Sequence, residues 1–313
     1  MYRGLRVGVS IPISNQAELV VGTIEAVPDF VDLILVVNDG SDDGTLEVLN
    51  GLTDSHKGLV VLGDAPRGLG YAVATGLKEA VAREMDLVAV MTADGRCDPE
   101  YLSAMCDEVI DGPLDYVKAN QLTNVNALRE VRTHRRRANV LLTIANKFAT
   151  GYYSIFDCDN VYGVFGREVL ERLPFELFES RQDYEDSILI ALSAVGARVK
   201  DHPVPVVREA RAARAVPRRT FRRTLNLMTS GFWRRIYYKY VIFDFHPVAL
   251  FLVGGLFLAL AGIVYGLVLV GLRVFGGPTP TGGTVLLAVL PFLAGLQLLL
   301  TAVILDFNNE HRR

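Results

Sequence analysis

Two stretches of this chain carry carboxylates at the ends of apolar runs, where they could meet a ligand. In VVNDGSDDGT, residues 36–45, the aliphatic run that begins at Val31 gives way abruptly to acids, glycines and hydroxyls. That is the pattern of a buried strand opening into a loop. Asp39 stands where the strand stops, and a carboxylate there can accept charge-assisted hydrogen bonds from a nucleotide base. The plainer alternative is a strand-to-helix turn without a ligand, capped by Asp42 or Asp43. In TADGRCDPE, residues 92–100, Asp94 is the best placed metal ligand, whereas Asp98 before Pro99 reads as a helix cap with proline at the first helical position. Arg67 precedes the glycines of RGLGYAVATGLKEAVARE, residues 67–84. Such a helix N-terminus attracts anions, or is an ordinary glycine-rich start with a solvated arginine. Glu185 and Asp186 fall in the first turn of RQDYEDSILIAL, residues 181–192, where the helix dipole favours acids whatever their function.

Positioning these groups requires an alternation of strands and helices. Residues 5–13 form a first strand, followed by a helix over 16–27 with Ser14 or Asn15 as its cap. Strands follow at 31–38, 59–62, 86–91 and 115–120, with a short helix from Thr45 and the longer helix at 67–84 between them. A basic loop, Arg129 to Arg137, leads to a helix ending near Gly151, and DCDNVYGVFGREVL, residues 157–170, crowds carboxylates and amides before another helix. The order predicts an α/β domain with a mostly parallel sheet whose loops converge on one crevice.

Charge divides the 313 residues unevenly. Residues 1–207 hold 19 basic and 31 acidic side chains, and residues 208–313 hold 13 and 4. Within the basic part, Phe221, Leu225, Met228 and Phe232 recur at helical spacing, flanked by Arg218, Arg219, Arg222 and Arg223. This is an interfacial amphipathic pattern, which Trp233, Tyr237, Tyr238 and Tyr240 extend with belt-type aromatics. Residues 248–272 and 285–305 then run 25 and 21 positions without a charge, and both exceed the ~20 residues that cross a hydrocarbon core. The expected organisation is a catalytic domain at 1–207, an interfacial segment at 208–247, a transmembrane hairpin at 248–305 and a tail at 306–313. Arg234, Arg235 and Lys239 before the hairpin and Arg312 and Arg313 after it, against Arg273 alone in the turn, place both ends in the cytoplasm. A basic segment beside apolar spans points to membrane lipid and lipid phosphates rather than nucleic acid. Cys97, Cys106 and Cys158 show no metal-ligand spacing and read as reduced thiols. The first apolar run, Leu5 to Ile13, is too short for a signal peptide.

Taken in order, these pieces resemble the family-2 inverting glycosyltransferases of GT-A fold, and among them the polyprenyl-phosphate sugar synthases of the dolichol-phosphate mannose synthase type. The resemblance is carried by IPISN at 11–15, VNDGSDDGT at 37–45, RGLGYAVATG at 67–76, TADGRCDP at 92–99, residues 157–170 and the hairpin. It implies a Rossmann-like GT-A domain that moves a hexose from a UDP- or GDP-linked sugar to polyprenyl phosphate with inversion. It also implies that Pro12 and Asp39 contact the nucleoside, that Asp94 binds a divalent metal (Mg or Mn), and that Asp186 lies beside sugar and acceptor. Ser14, Gln16, Arg67 and Thr92 complete the expected donor site, and Arg218, Arg219, Arg222 and Arg223 the acceptor site. The sequence departs from the family pattern at Ser14 (usually aromatic), Gln16 (usually Glu), Asn38 and Thr92 (each in place of an acid) and Val161 (often Gly). Two other readings are a scaffold that keeps the fold without catalysis and a transferase acting on another lipid-linked glycan. Processive synthases resemble longer chains with a QxxRW motif, which is missing here.

Overall fold

The computed structural model describes residues 1–52, 58–63, 65–95, 97–120, 147–155, 161–178, 184–205, 221–243 and 246–311, without the side chains of 186, 221–228, 243 and 309–311. Two compact units divide the chain, Met1–Arg235 and Ile236–Arg313.

The first unit is built on seven strands: β1 Val7–Ile13, β2 Leu33–Asn38, β3 Leu59–Leu62, β4 Leu87–Val90, β5 Tyr116–Asn120, β6 Gly163–Gly166 and β7 Val199–Pro203. They lie in the order β3-β2-β1-β4-β6-β5-β7. All pairings are parallel except those of β6, which runs antiparallel to β4 and β5. Every residue of β1 and β2 is buried, as expected of parallel strands covered on both faces. Helices α1 Ala17–Glu25, α2 Thr45–Leu52 and α4 Leu102–Asp111 help cover one face, where Val9, Ile11, Ile34 and Val36 meet Val20, Ile24, Leu49 and Met105. Helix α3 Leu69–Ala82 covers the other, and Gly76 lets it approach closely, because a Cβ there would lie 2.0 Å from Ser10 Oγ.

One residue opens the crevice. The β1–β4 ladder runs from Val7 opposite Leu87 to Ser10 opposite Val90, and the Met91 N–H still donates to the Ser10 carbonyl at 3.0 Å. Pro12 is next on the same side of β1, but it has no N–H to continue the ladder. Pairing with β2 meanwhile persists to Ile13 opposite Asn38. The strands therefore part at the topological switch point, where open α/β sheets bind ligands.

Three sequence expectations change. β6 and β7 are strands that the sequence reading does not identify: β6 has only four residues, and β7 is a polar, partly exposed edge strand (VKDHP) without apolar alternation. Neither Ser14 nor Asn15 caps α1. Gln16 occupies the cap position without a side-chain bond, and the Ala17 N–H is taken at 3.1 Å by Asp43, from the loop after β2. Arg235 is fully buried and Lys239 nearly so, although both fall in the segment read as interfacial.

The unit also contains α5 Arg167–Arg172, α6 Tyr184–Ala194 and most of α7 Phe221–Tyr237, which is followed by a π-helical turn, Tyr238–Phe243. The second unit holds α8 Pro247–Val274 and α9 Gly282–His311, both long and apolar enough to cross a membrane. They pack antiparallel through small residues: a Cβ at Gly262 would meet the Ala288 carbonyl at 2.6 Å, and one at Gly295 the Ala259 nitrogen at 2.3 Å. Lipid-type residues such as Leu250, Phe257, Leu267 and Leu287 face outward. Asp306 is buried near the end of α9, 3.8 Å from Lys239 Nζ and accepting a hydrogen bond from Tyr240 Oη at 2.5 Å.

Candidate functional site

At the carboxyl edge of β1 and β2 two loops are laced together. Asp39 continues the ladder, its N–H donating to the Ile13 carbonyl at 2.9 Å. Its Oδ1 accepts from the backbone N–H groups of Arg67 at 2.6 Å and Gly68 at 2.8 Å. The N–H groups of Arg67 and of Gly68, the residue at the α3 cap position, are thus both taken by Asp39. Gly40 follows with φ +62, and a Cβ there would lie 2.6 Å from Pro66, so only glycine fits the turn. The Arg67 side chain is exposed, lies 4.8 Å from the Tyr71 ring centre and donates to Tyr71 Oη at 2.7 Å.

Asn38, which takes the place of an acid in the family pattern, is buried, and its Oδ1 accepts from the Ser41 N–H at 3.1 Å and hydroxyl at 2.6 Å. Ser41 Oγ in turn accepts from the Asn15 N–H at 3.0 Å, and Asn15 Oδ1 from the Asp42 N–H at 2.9 Å. The Gln16 N–H donates to Thr45 Oγ1 at 3.1 Å. Asp43 joins both loops, accepting from Ala17, from the Thr45 N–H and from the Thr45 hydroxyl. The Thr45 hydroxyl bond, with the two N–H groups, holds the Asp43 carboxyl below the usual carboxylate range. Ser14 Oγ reaches the Asp39 carbonyl at 3.5 Å, and Gln16 Oε1 is buried without a hydrogen-bond partner among the described residues. Ser14, Gln16, Asp39 and Arg67 therefore lie on the two laced loops or just before α3, and Pro12 lies near the end of β1 that leads into them. The bridging roles of Asn15, Asn38, Ser41 and Thr45 are missed by sequence reasoning, and only the turn-forming character of these residues hints at them.

The loop after β4 belongs to the same edge. Thr92 Oγ1 donates to Asp94 Oδ1 at 2.8 Å and lies 3.3 Å from Cys97 Sγ, which also accepts from the Thr92 N–H at 3.3 Å. Asp98 Oδ1 accepts from the Glu100 N–H at 3.1 Å and Pro99 begins the following turn, so Asp98 is the cap that its sequence predicts. The buried Tyr162, just before β6, braces the loop by donating to the Asp98 carbonyl at 2.8 Å. Below it, burial pushes the Cys106 thiol up to about 12, with the charge of Asp107 adding to the shift. Among the described residues no three His, Cys, Asp or Glu side chains form a metal cluster. A divalent ion at this edge would have Asp94, oriented by Thr92, as its carboxylate ligand and would take further oxygens from a bound diphosphate.

Asp186 is the third residue of α6, but its side chain lies outside the described residues, as do those of Arg222 and Arg223 in α7. Arg218, Arg219, the basic loop at 129–137 and Cys158 lie wholly outside them. Glu185 is half-buried.

Residues 9–173 match the family described as Glycosyl transferase family 2, and the chain belongs to that family. It is a glycosyltransferase with a GT-A fold. A protein of Methanococcus voltae named UDP-N-acetylglucosamine–dolichyl-phosphate N-acetylglucosaminyltransferase is 21% identical over 211 residues, 63% of this chain and 84% of that one. An uncharacterised protein of Methanocaldococcus jannaschii is 23% identical over 201 residues, 64% of this chain and 80% of that one. Among solved structures, glucosyl-3-phosphoglycerate synthase of Mycobacterium tuberculosis with Mn2+ and UDP-glucose superposes with a TM-score of 0.53 at 19% identity, covering 74% of this chain and 79% of that one.

Proposed function

We propose that this glycosyltransferase moves a hexose from a nucleotide sugar to a polyprenyl phosphate, inverting the anomeric centre. The observation that carries the reading is one chain that joins the laced nucleotide-type edge to two helices of 28 and 30 residues, long and apolar enough to hold the enzyme at its acceptor. The Methanococcus voltae relative, whose name gives a UDP-linked sugar as donor and dolichyl phosphate as acceptor, supports a nucleotide-sugar donor and a lipid phosphate acceptor. In this reading Asp39, Pro12 of β1 and the Ser14 and Gln16 loop hold the nucleoside, and Asp94, oriented by Thr92, holds a divalent ion. When bound, that ion supplies positive charge beside the leaving diphosphate. Arg67 adds a cation at the same edge.

The acceptor needs little activation, because a monoalkyl phosphate with a second pKa near ~6 is largely a dianion at neutral pH. Asp186 then orients the acceptor or sugar hydroxyls rather than removing an essential proton. Arg218, Arg219, Arg222 and Arg223 meet the lipid phosphate at headgroup level, and the catalytic unit and both termini lie on the cytoplasmic side. The dolichol-phosphate mannose synthase type is one specificity within this class. The test offers membranes containing the protein a set of labelled UDP- and GDP-sugars. Label extracted into the organic phase as a mild-acid-labile lipid is the expected result and identifies sugar and base together. Label found only in water-soluble glycan or protein overturns the acceptor assignment.

A further inference from the structure

The face by which α7 is held to its unit has features that simple packing does not require. Gly231 lies directly against α6, where a Cβ would fall 2.5 Å from Ile190 Cδ1. One turn on, Arg235 is completely buried. Its Nη2 donates to the Phe148 carbonyl at 3.2 Å, and its guanidinium carbon lies 5.5 Å from the Phe232 ring centre. Its Nη1 fills the space that a side chain on Gly151 would occupy, since a Cβ there would come within 2.0 Å of Nη1 and 3.3 Å of Ser193 Oγ. Gly151 has φ +75, so the slot is made by a backbone conformation that favours glycine. A guanidinium loses more hydration on burial than a leucine does, so the partners that hold it, among them the Phe148 carbonyl, fix the register of α7.

The register concerns α6. Asp186, Ile190 and Ser193 stand at i, i+4 and i+7 of that helix, so α7 is keyed to the stripe that begins at Asp186. Along the chain, α7 is also the segment that leads into the two membrane-type helices. We propose that Gly231 and Arg235 form a key that fixes α7 on α6 and thereby sets where the lipid phosphate arrives relative to the first turn of α6. Arg235 is in this sense a positioning residue for the acceptor, and the inference rests on the lipid-acceptor reading above.

The test uses the full-length protein in membranes and measures transfer to polyprenyl phosphate alongside nucleotide affinity. Gly231→Ala forces Cβ into Ile190 Cδ1 and is expected to lower kcat/KM for the lipid at least tenfold, with the nucleotide Kd within twofold. Ile190→Val removes that Cδ1, leaves activity unchanged by itself, and restores most of the transfer when combined with Gly231→Ala. Arg235→Lys, which keeps the charge but not the planar fork, is expected to show the same split between lipid and nucleotide. The key is overturned if Gly231→Ala transfers like wild type, if Ile190→Val does not rescue it, or if nucleotide affinity falls with transfer in both Gly231→Ala and Arg235→Lys. In those cases wild-type labelling of lipid still upholds the acceptor reading. Wild-type label confined to water-soluble product overturns that reading and the key with it.

Discussion

Each of the two carboxylates at the edge of the sheet has an internal task beside its proposed ligand task. Asp39 fastens the start of α3 through the N–H groups of Arg67 and Gly68. Asp39→Asn keeps an acceptor oxygen for them but loses the charge, and a charge-assisted hydrogen bond contributes roughly 1.5 to 3 kcal/mol. The nucleotide Kd should therefore rise about ten- to a hundredfold with little change in unfolding temperature, and calorimetry showing unchanged affinity would remove Asp39 from the donor site. Asp94 has its Oδ1 oriented by the Thr92 hydroxyl. Asp94→Ala should abolish transfer in saturating Mg2+ or Mn2+ while the protein stays folded and membrane-bound, and near-normal turnover would refute the metal assignment. Thr92→Asp adds a second carboxylate to the loop, so the metal concentration giving half-maximal activity should stay the same or fall.

At the scale of elements, Asp43 ties together two helix starts that are far apart in sequence. Its carboxyl is held below the usual range, foremost by the Thr45 hydroxyl. A depressed folded pKa gives stability that is fully present above the unfolded carboxylate value and is lost as the pH falls through the lower folded value. Asp43→Asn should accordingly lower the unfolding temperature at neutral pH, and the difference from wild type should shrink below the usual carboxylate range. A difference independent of pH would show that the charge is immaterial.

For the whole molecule, the first compact unit runs to Arg235, and α7 contributes Gly231 and Arg235 to its packing. A protein shortened to end at Tyr237 should thus keep nucleotide affinity and lose transfer to polyprenyl phosphate. Full-rate lipid transfer by that shortened protein would show that the hairpin is dispensable. With the hairpin intact, replacing Arg218, Arg219, Arg222 and Arg223 by Glu should raise the apparent KM for the lipid and spare that for the nucleotide. Equal effects on both substrates would remove these arginines from the acceptor site.

What the sequence by itself determined are features written in local pattern. Aliphatic runs broken at Asp39 and before Asp94 mark strand ends, Asp98 before Pro99 marks a cap, and uncharged runs of 25 and 21 residues mark the two long helices. Local propensity and period suffice for these, because each signal lies within a few turns or one strand of the residue it places. Only the tertiary structure decided that β6 turns against the sheet, that Asp43 caps a helix beginning twenty-six residues before it, and that Asp39 accepts from the N–H groups of Arg67 and Gly68 ahead of α3. It also decided that Arg235, within a run that reads as membrane-facing, lies under Phe148 and Gly151. In each of these cases the partner is distant in the chain, and composition and spacing around the residue carry no record of it.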